Sequence, residues 1–169
     1  MPTSGHAGFA RVSVCNDRSK GHSEIARSGP ISNLIHMPSP VRLVLVEDND
    51  VFREALELLL GVRSDIEIVG AARDGLEAVE LCRREHPDVV LLDYRLPGLD
   101  GVQAALAIRE ACPGASIVCL TASANARETE ALYGAGAVEC LTKDRELDEI
   151  AAAVQRAVGA GTPVGKLGR

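Results

Sequence analysis

The chain has 169 residues, a length that suits one globular domain with tails. Hydrophobic residues make up 46%, too many for a wholly disordered chain, and a formal charge of -6 argues against a general basic surface for nucleic acid. No run approaches the roughly 18 apolar residues of a membrane helix, so no membrane association is expected.

Residues 1–40 hold 4 Gly, 4 Pro and 7 Ser and sustain no hydrophobic period. Arg11 interrupts the one apolar stretch near the start, which excludes a secretory signal, and Asp17 and Glu24 weaken a transit-peptide reading. This segment is expected to be a disordered extension. Met37 stands just before the first strand-like run and is a candidate alternative start.

From Val41 the pattern changes. VRLVLV (41–46) is a short β-branched apolar run, and VFREALELLL (51–60) has helical period. IEIVGA (66–71) is strand-like, and 74–86 is helical, with Leu76, Ala78, Val79 and Cys82 predicted on one stripe. DVVLLD (88–93) is a strand, GVQAALAIREA (101–111) a helix and ASIVCLT (115–121) a strand. Residues 125–133 read as helix, AVECLT (137–142) as strand, and 145–158 as an Ala-rich helix closed by Gly159. The Gly-bearing end, 161–169, is expected to be a flexible tail too short for a second domain. Charge divides along these boundaries: +2 for 1–40, -10 for 41–160 and +2 for 161–169.

Five β–α units in succession predict a doubly wound α/β domain over 41–160, with near-continuous apolar strands buried between helices. Aromatics are 2% (Phe9, Phe52, Tyr94 and Tyr133), so the core must be Ala, Val, Leu and Ile. The five cysteines, Cys15, Cys82, Cys112, Cys119 and Cys140, form no C-x-x-C pair. An odd number without zinc spacing reads as reduced thiols in a cytoplasmic protein.

Ligands in open α/β sheets bind outside the carboxyl ends of the strands. There the chain places Glu47 and Asp48 after the first strand, Asp93 at the end of the third, Thr121 at the end of the fourth, and Thr142 and Lys143 after the fifth. Any one loop carboxylate is ordinarily a solvated turn residue. Three that converge raise one another's pKa unless a cation intervenes, and Mg²⁺ with its oxygen ligands suits such a set. A lysine and a hydroxyl opposite suit a phosphate. Together they point to phosphoryl transfer onto a carboxylate.

VLVEDN (44–49), VVLLDYRLPGLDG (89–101), CLTAS (119–123) and GAGAVECLTKD (134–144) resemble the receiver domain of bacterial response regulators, of the type found in LuxR-like regulators. The resemblance implies a flavodoxin-like five-stranded parallel sheet, (βα)5, in the order 2-1-3-4-5. It implies Asp93 as phospho-acceptor and a Mg²⁺ ion held by Asp48, Asp93, Glu47 (largely through water) and the backbone carbonyl of Arg95. Thr121 resembles the switch hydroxyl and Lys143 the lysine that pairs with the phosphoryl group. The implied partners are a sensor histidine kinase or phosphotransfer protein and a downstream target. That target would meet a face built from the fourth helix, fifth strand and fifth helix, and a homodimer through the same face is open.

The family's aromatic, three residues before the lysine, is replaced here by Cys140. That residue is either a small packed hydrophobe or a sign of altered coupling or redox sensitivity. Arg95 and Ser123 occupy positions that tune dephosphorylation in the family. GAG at 134–136 precedes a strand and lacks a third glycine at Glu139, so it is no dinucleotide fingerprint. GTPVGK (161–166) lacks the first glycine and the hydroxyl residue of a P-loop. His6, His22, His36 and His86 make no metal or relay cluster.

The leading reading is a single-domain phosphorylation-dependent switch, not a conventional enzyme. The alternative is the receiver part of a LuxR-type transcription regulator without its DNA-binding domain. An aspartyl-phosphate hydrolase would need an acid where Arg95 stands.

Overall fold

A computed structural model describes residues 39–122 and 125–160. The strands are β1 (Val41–Val46), β2 (Ile66–Ala72), β3 (Val89–Asp93), β4 (Ser116–Thr121) and β5 (Ala137–Thr142). They alternate with the helices α1 (Asp50–Gly61), α2 (Gly75–Glu85), α3 (Gly101–Ala111), α4 (Ala126–Ala135) and α5 (Leu147–Ala157). The sheet is parallel throughout, in the order β2-β1-β3-β4-β5.

The period of two along each central strand divides the core into two layers. Val44, Val46, Val90, Leu92, Ile117 and Cys119 face α2, α3 and α4. Leu43, Leu45, Val89, Leu91, Val118 and Leu120 face α1 and α5. The central strands are buried along almost their whole length, whereas the edge strands β2 and β5 are half-buried over most of theirs. Leu43, Leu91 and Leu120 are 0–1% exposed, and truncating any of them to Ala removes about 2–5 kcal/mol.

One helix faces differently from expectation. The buried stripe of α2 runs Gly75, Ala78, Val79, Cys82, with Leu81 beside it, and Leu76 is 70% exposed. The stripe begins at Gly75, packed tightly beneath Ala104 and Leu99. Leu76, one residue on, is therefore rotated by about 100° away from the sheet.

Four helices start at the carboxyl edge of the sheet on a side-chain cap. Asn49 accepts from the Phe52 amide, Asp74 from those of Leu76 and Glu77, Asp100 from that of Gln103, and Asn125 from that of Arg127. Each cap satisfies an orphan amide and fixes where its strand-to-helix loop ends. His86 ends α2 in the left-handed conformation (φ 47) and is exposed. Among the described residues, no helix is long and apolar enough to cross a membrane.

Candidate functional site

β1 runs straight into Glu47 and Asp48, and the cap at Asn49 turns the chain at once into α1. The Glu47 amide donates to the Ala72 carbonyl at 3.0 Å, which ties the residue to the end of β2. Asp93 is the last residue of β3, and Tyr94 continues the ladder by donating to Leu120 at 2.8 Å. The Lys143 amide donates to the Thr121 carbonyl at 2.8 Å, so the ends of β4 and β5 are held together. Strand register thus carries all five side chains to one edge.

Their charges meet there. Glu47 and Asp93 are 2% and 3% exposed, while Asp48 is open to solvent. One carboxylate oxygen from each of the three lies within 4.8 Å of the others. The Lys143 ammonium donates to both Glu47 oxygens, at 2.9 and 2.6 Å, and to Asp93 Oδ2 at 2.9 Å. It also lies 4.9 Å from the centre of the Phe52 ring, a cation–π distance. The remaining Asp93 oxygen accepts from the Arg95 amide at 3.2 Å. Thr121 is buried beside this group at 4% exposure.

Burial pushes the Glu47 carboxyl above the ordinary carboxylate range, with the Asp93 charge adding to the push and the Lys143 hydrogen bond opposing it. Burial alone would depress Lys143. Its hydrogen bonds to Glu47 and Asp93 outweigh that and hold the ammonium above the ordinary lysine value. The site is therefore a pair of buried carboxylates held by one ammonium, with a third carboxylate at its mouth. Such all-oxygen donors suit a hard divalent cation and not a soft metal.

Arg95 is exposed, with its amide turned to Asp93. Ser123 lies outside the described residues. Cys140 is half-buried on β5, in register with Cys119 on β4, and the influence of Cys119 and Tyr133 outweighs burial and lowers its thiol from the ordinary value. Three contacts escaped the sequence reading: Phe52 over Lys143, Tyr133 beside Cys140, and Arg53 beneath Glu47. Arg53 is 6% exposed and donates to the Glu47 carbonyl at 3.0 Å. Its signal was available, because Arg53 shares the buried α1 stripe with Leu56 and Leu60.

The response regulator receiver domain family matches residues 43–155. The chain belongs to that family. It is 37% identical over 117 residues to the probable transcriptional regulatory protein NarL of Mycobacterium tuberculosis, which covers 69% of this chain and 54% of that protein. It is 34% identical over 123 residues to the transcriptional regulatory protein LiaR of Bacillus subtilis, covering 73% of this chain and 58% of LiaR. The chain thus spans little more than half the length of these relatives. Among solved structures, the signal receiver domain of the putative response regulator NarL from Mycobacterium tuberculosis superposes with a TM-score of 0.69 at 35% identity. That match covers 72% of this chain and 98% of the other. The receiver fold and its phosphorelay class are thereby assigned to residues 43–155.

Proposed function

We propose that Asp93 accepts a phosphoryl group from a sensor histidine kinase, a phosphotransfer protein or a small phosphodonor. The observation that carries this reading is Lys143, which reaches from the end of β5 past β4 to bridge Glu47 and Asp93. In the transfer, an Asp93 carboxylate oxygen forms a bond to phosphorus while the donor's bond to phosphorus breaks. Asp48 and Asp93, with Glu47 acting through water and the Arg95 carbonyl completing the set, would hold Mg²⁺. Bound there, the cation supplies charge neutralisation for the phosphoryl oxygens. Lys143 exchanges its hold on Asp93 for a phosphoryl oxygen, and Thr121 donates its hydroxyl to another. Arg95, exposed at the mouth, sets with Ser123, a residue outside the described ones, the rate at which water removes the group.

Release of Lys143 and recruitment of Thr121 would bias β4 and β5 between two arrangements, read by a downstream protein or a second copy at the α4–β5–α5 face. Cys140 in place of an aromatic leaves Tyr133, on α4, as the ring nearest that position. A cytoplasmic setting follows from a kinase donor; of the extensions, residues 1–38 and 161–169 lie outside the described residues. A second reading, favoured by the transcriptional regulators among the relatives, is the receiver portion of a LuxR-type regulator.

The deciding experiment is incubation with acetyl phosphate and Mg²⁺, followed by intact-protein mass spectrometry. One added phosphoryl group is expected, abolished by Asp93→Asn and by chelation. No labelling from any donor or kinase overturns the reading.

A further inference from the structure

Two thiols stand together on the sheet face beneath α4. Cys119 and Cys140 are paired residues of the parallel strands β4 and β5. Such partners are separated by the strand spacing, about 4.8 Å, which lies within the roughly 4.4–6.8 Å between Cα atoms that a disulfide spans. In-register side chains point to the same face, and both pack in the layer that meets α2, α3 and α4. Neither is tied up in a disulfide, and both thiols are free. Their environments differ: Cys119 is fully buried, whereas Cys140 is half-buried.

We propose that Cys119 and Cys140 form a dithiol site that a low-molecular-weight disulfide oxidises to an intrachain Cys119–Cys140 bond. The accessible Cys140 sulfur attacks one sulfur of the small disulfide; the new S–S bond forms as the old one breaks, and one small thiol leaves. Cys119 then attacks the Cys140 sulfur and expels the second small thiol. The two protein protons end on the two released thiols, and the small disulfide is the species reduced.

The surroundings of the two thiols support this division of labour. The influence of Cys119, aided by the Tyr133 hydroxyl and opposed by burial, holds the Cys140 thiol below its ordinary value, which favours the attacking thiolate. Cys119 is pushed the other way, by the influence of Cys140 and then by burial, as befits the second sulfur to react. By contrast, Cys82 and Cys112 are both buried, and burial pushes the Cys82 thiol up to about 12. The cross-link would fall two residues before Thr121 and three before Lys143, on the strands whose ends carry them. The chemistry itself is independent of Asp93.

The test uses the reduced full chain, oxidised glutathione as the probe, and a quench with N-ethylmaleimide before peptide mapping. The expected product is lighter than the reduced protein by two hydrogens, and its link maps to Cys119–Cys140. Cys119→Ala should stop at one glutathione adduct on Cys140, and Asp93→Asn should oxidise like the parent. The parent decides the matter even if a variant folds poorly. Maleimide on both Cys119 and Cys140 with no link between them, or a link through Cys15, Cys82 or Cys112 in its place, overturns the proposal.

Discussion

The Arg53 guanidinium donates Nη1 to the carbonyl oxygen of Glu47 at 3.0 Å, and so holds from below the turn that presents Glu47 and Asp48. Its Nη2 reaches Asp50, and that hydrogen bond lowers the Asp50 carboxyl from its ordinary value. Arg53→Met keeps much of the apolar volume but strands a buried carbonyl. A loss of about 1–3 kcal/mol is expected in urea denaturation. Phosphoryl labelling should slow in the same variant, because Asp48 loses its fixed position. An unchanged denaturation midpoint would remove Arg53 from this role.

Lys143 balances two buried carboxylates, and its removal leaves them facing each other. Lys143→Met is expected to cost about 2 kcal/mol at neutral pH, less than the ~3–5 kcal/mol of a fully buried pair because 22% of the lysine side chain is exposed. The deficit should shrink as pH falls and Glu47, already raised, takes up a proton. In the parent the sign at high pH is opposite. The lysine is raised in the folded state, so its contribution is complete below the unfolded value of about 10.4 and fades as pH climbs through the folded one. Urea midpoints of both proteins from acid to alkaline pH measure both limbs.

A divalent cation that binds the folded acidic group should stabilise the fold by mass action. With Mg²⁺ at a hundred times Kd the expected gain is about 2.7 kcal/mol, a rise of several degrees in Tm. Asp48→Asn should abolish most of the rise, since Asp48 is the exposed member of the three carboxylates. Thermal melts with Mg²⁺, and again after chelation, provide the comparison. An equal rise in parent and variant would place the cation elsewhere.

Gly101 begins α3 against the backbone of Tyr94, the residue after Asp93. A Cβ there would stand 2.7 Å from Tyr94 Cα and 2.8 Å from its carbonyl oxygen. That oxygen accepts the Gly101 amide at 2.8 Å, so neither side can yield cheaply. Gly101→Ala is expected to cost about 1–3 kcal/mol in thermal denaturation. Gly114→Ala, with open space at its Cβ, is the control and should cost little by crowding.

The alternation of five apolar runs with five helical stretches was legible in the chain because parallel strands buried on both faces carry few polar residues. The strand ends were legible for the same reason: Glu47, Asp93 and Lys143 stand where the apolar runs stop. What could not be read was contact across the sheet. Nothing local to Lys143 says that its ammonium meets Glu47, 96 positions earlier, rather than solvent. Leu76 misled because a leucine at a helix start looks like core, whereas Gly75 occupies the inward position. The pairing of Cys119 with Cys140 depends on a register shift between Ile117 and Val118 that periodicity does not reveal.

That shift has a counterpart at the opposite side of the sheet. β2 takes an extra residue, Val69, where β1 steps from Leu43 to Val44, and β5 takes an extra residue, Val138, where β4 steps from Ile117 to Val118. Both outer strands are therefore locally kinked, and each carries a glutamate close to the kink, Glu67 on one and Glu139 on the other. Glu139 is further occupied by Arg156 at 2.6 Å. An incoming strand would find neither rim straight enough nor apolar enough to zip along. Among the described residues the sheet has five strands, and the bulge and glutamate on each rim act as a guard against open-ended strand-on-strand stacking.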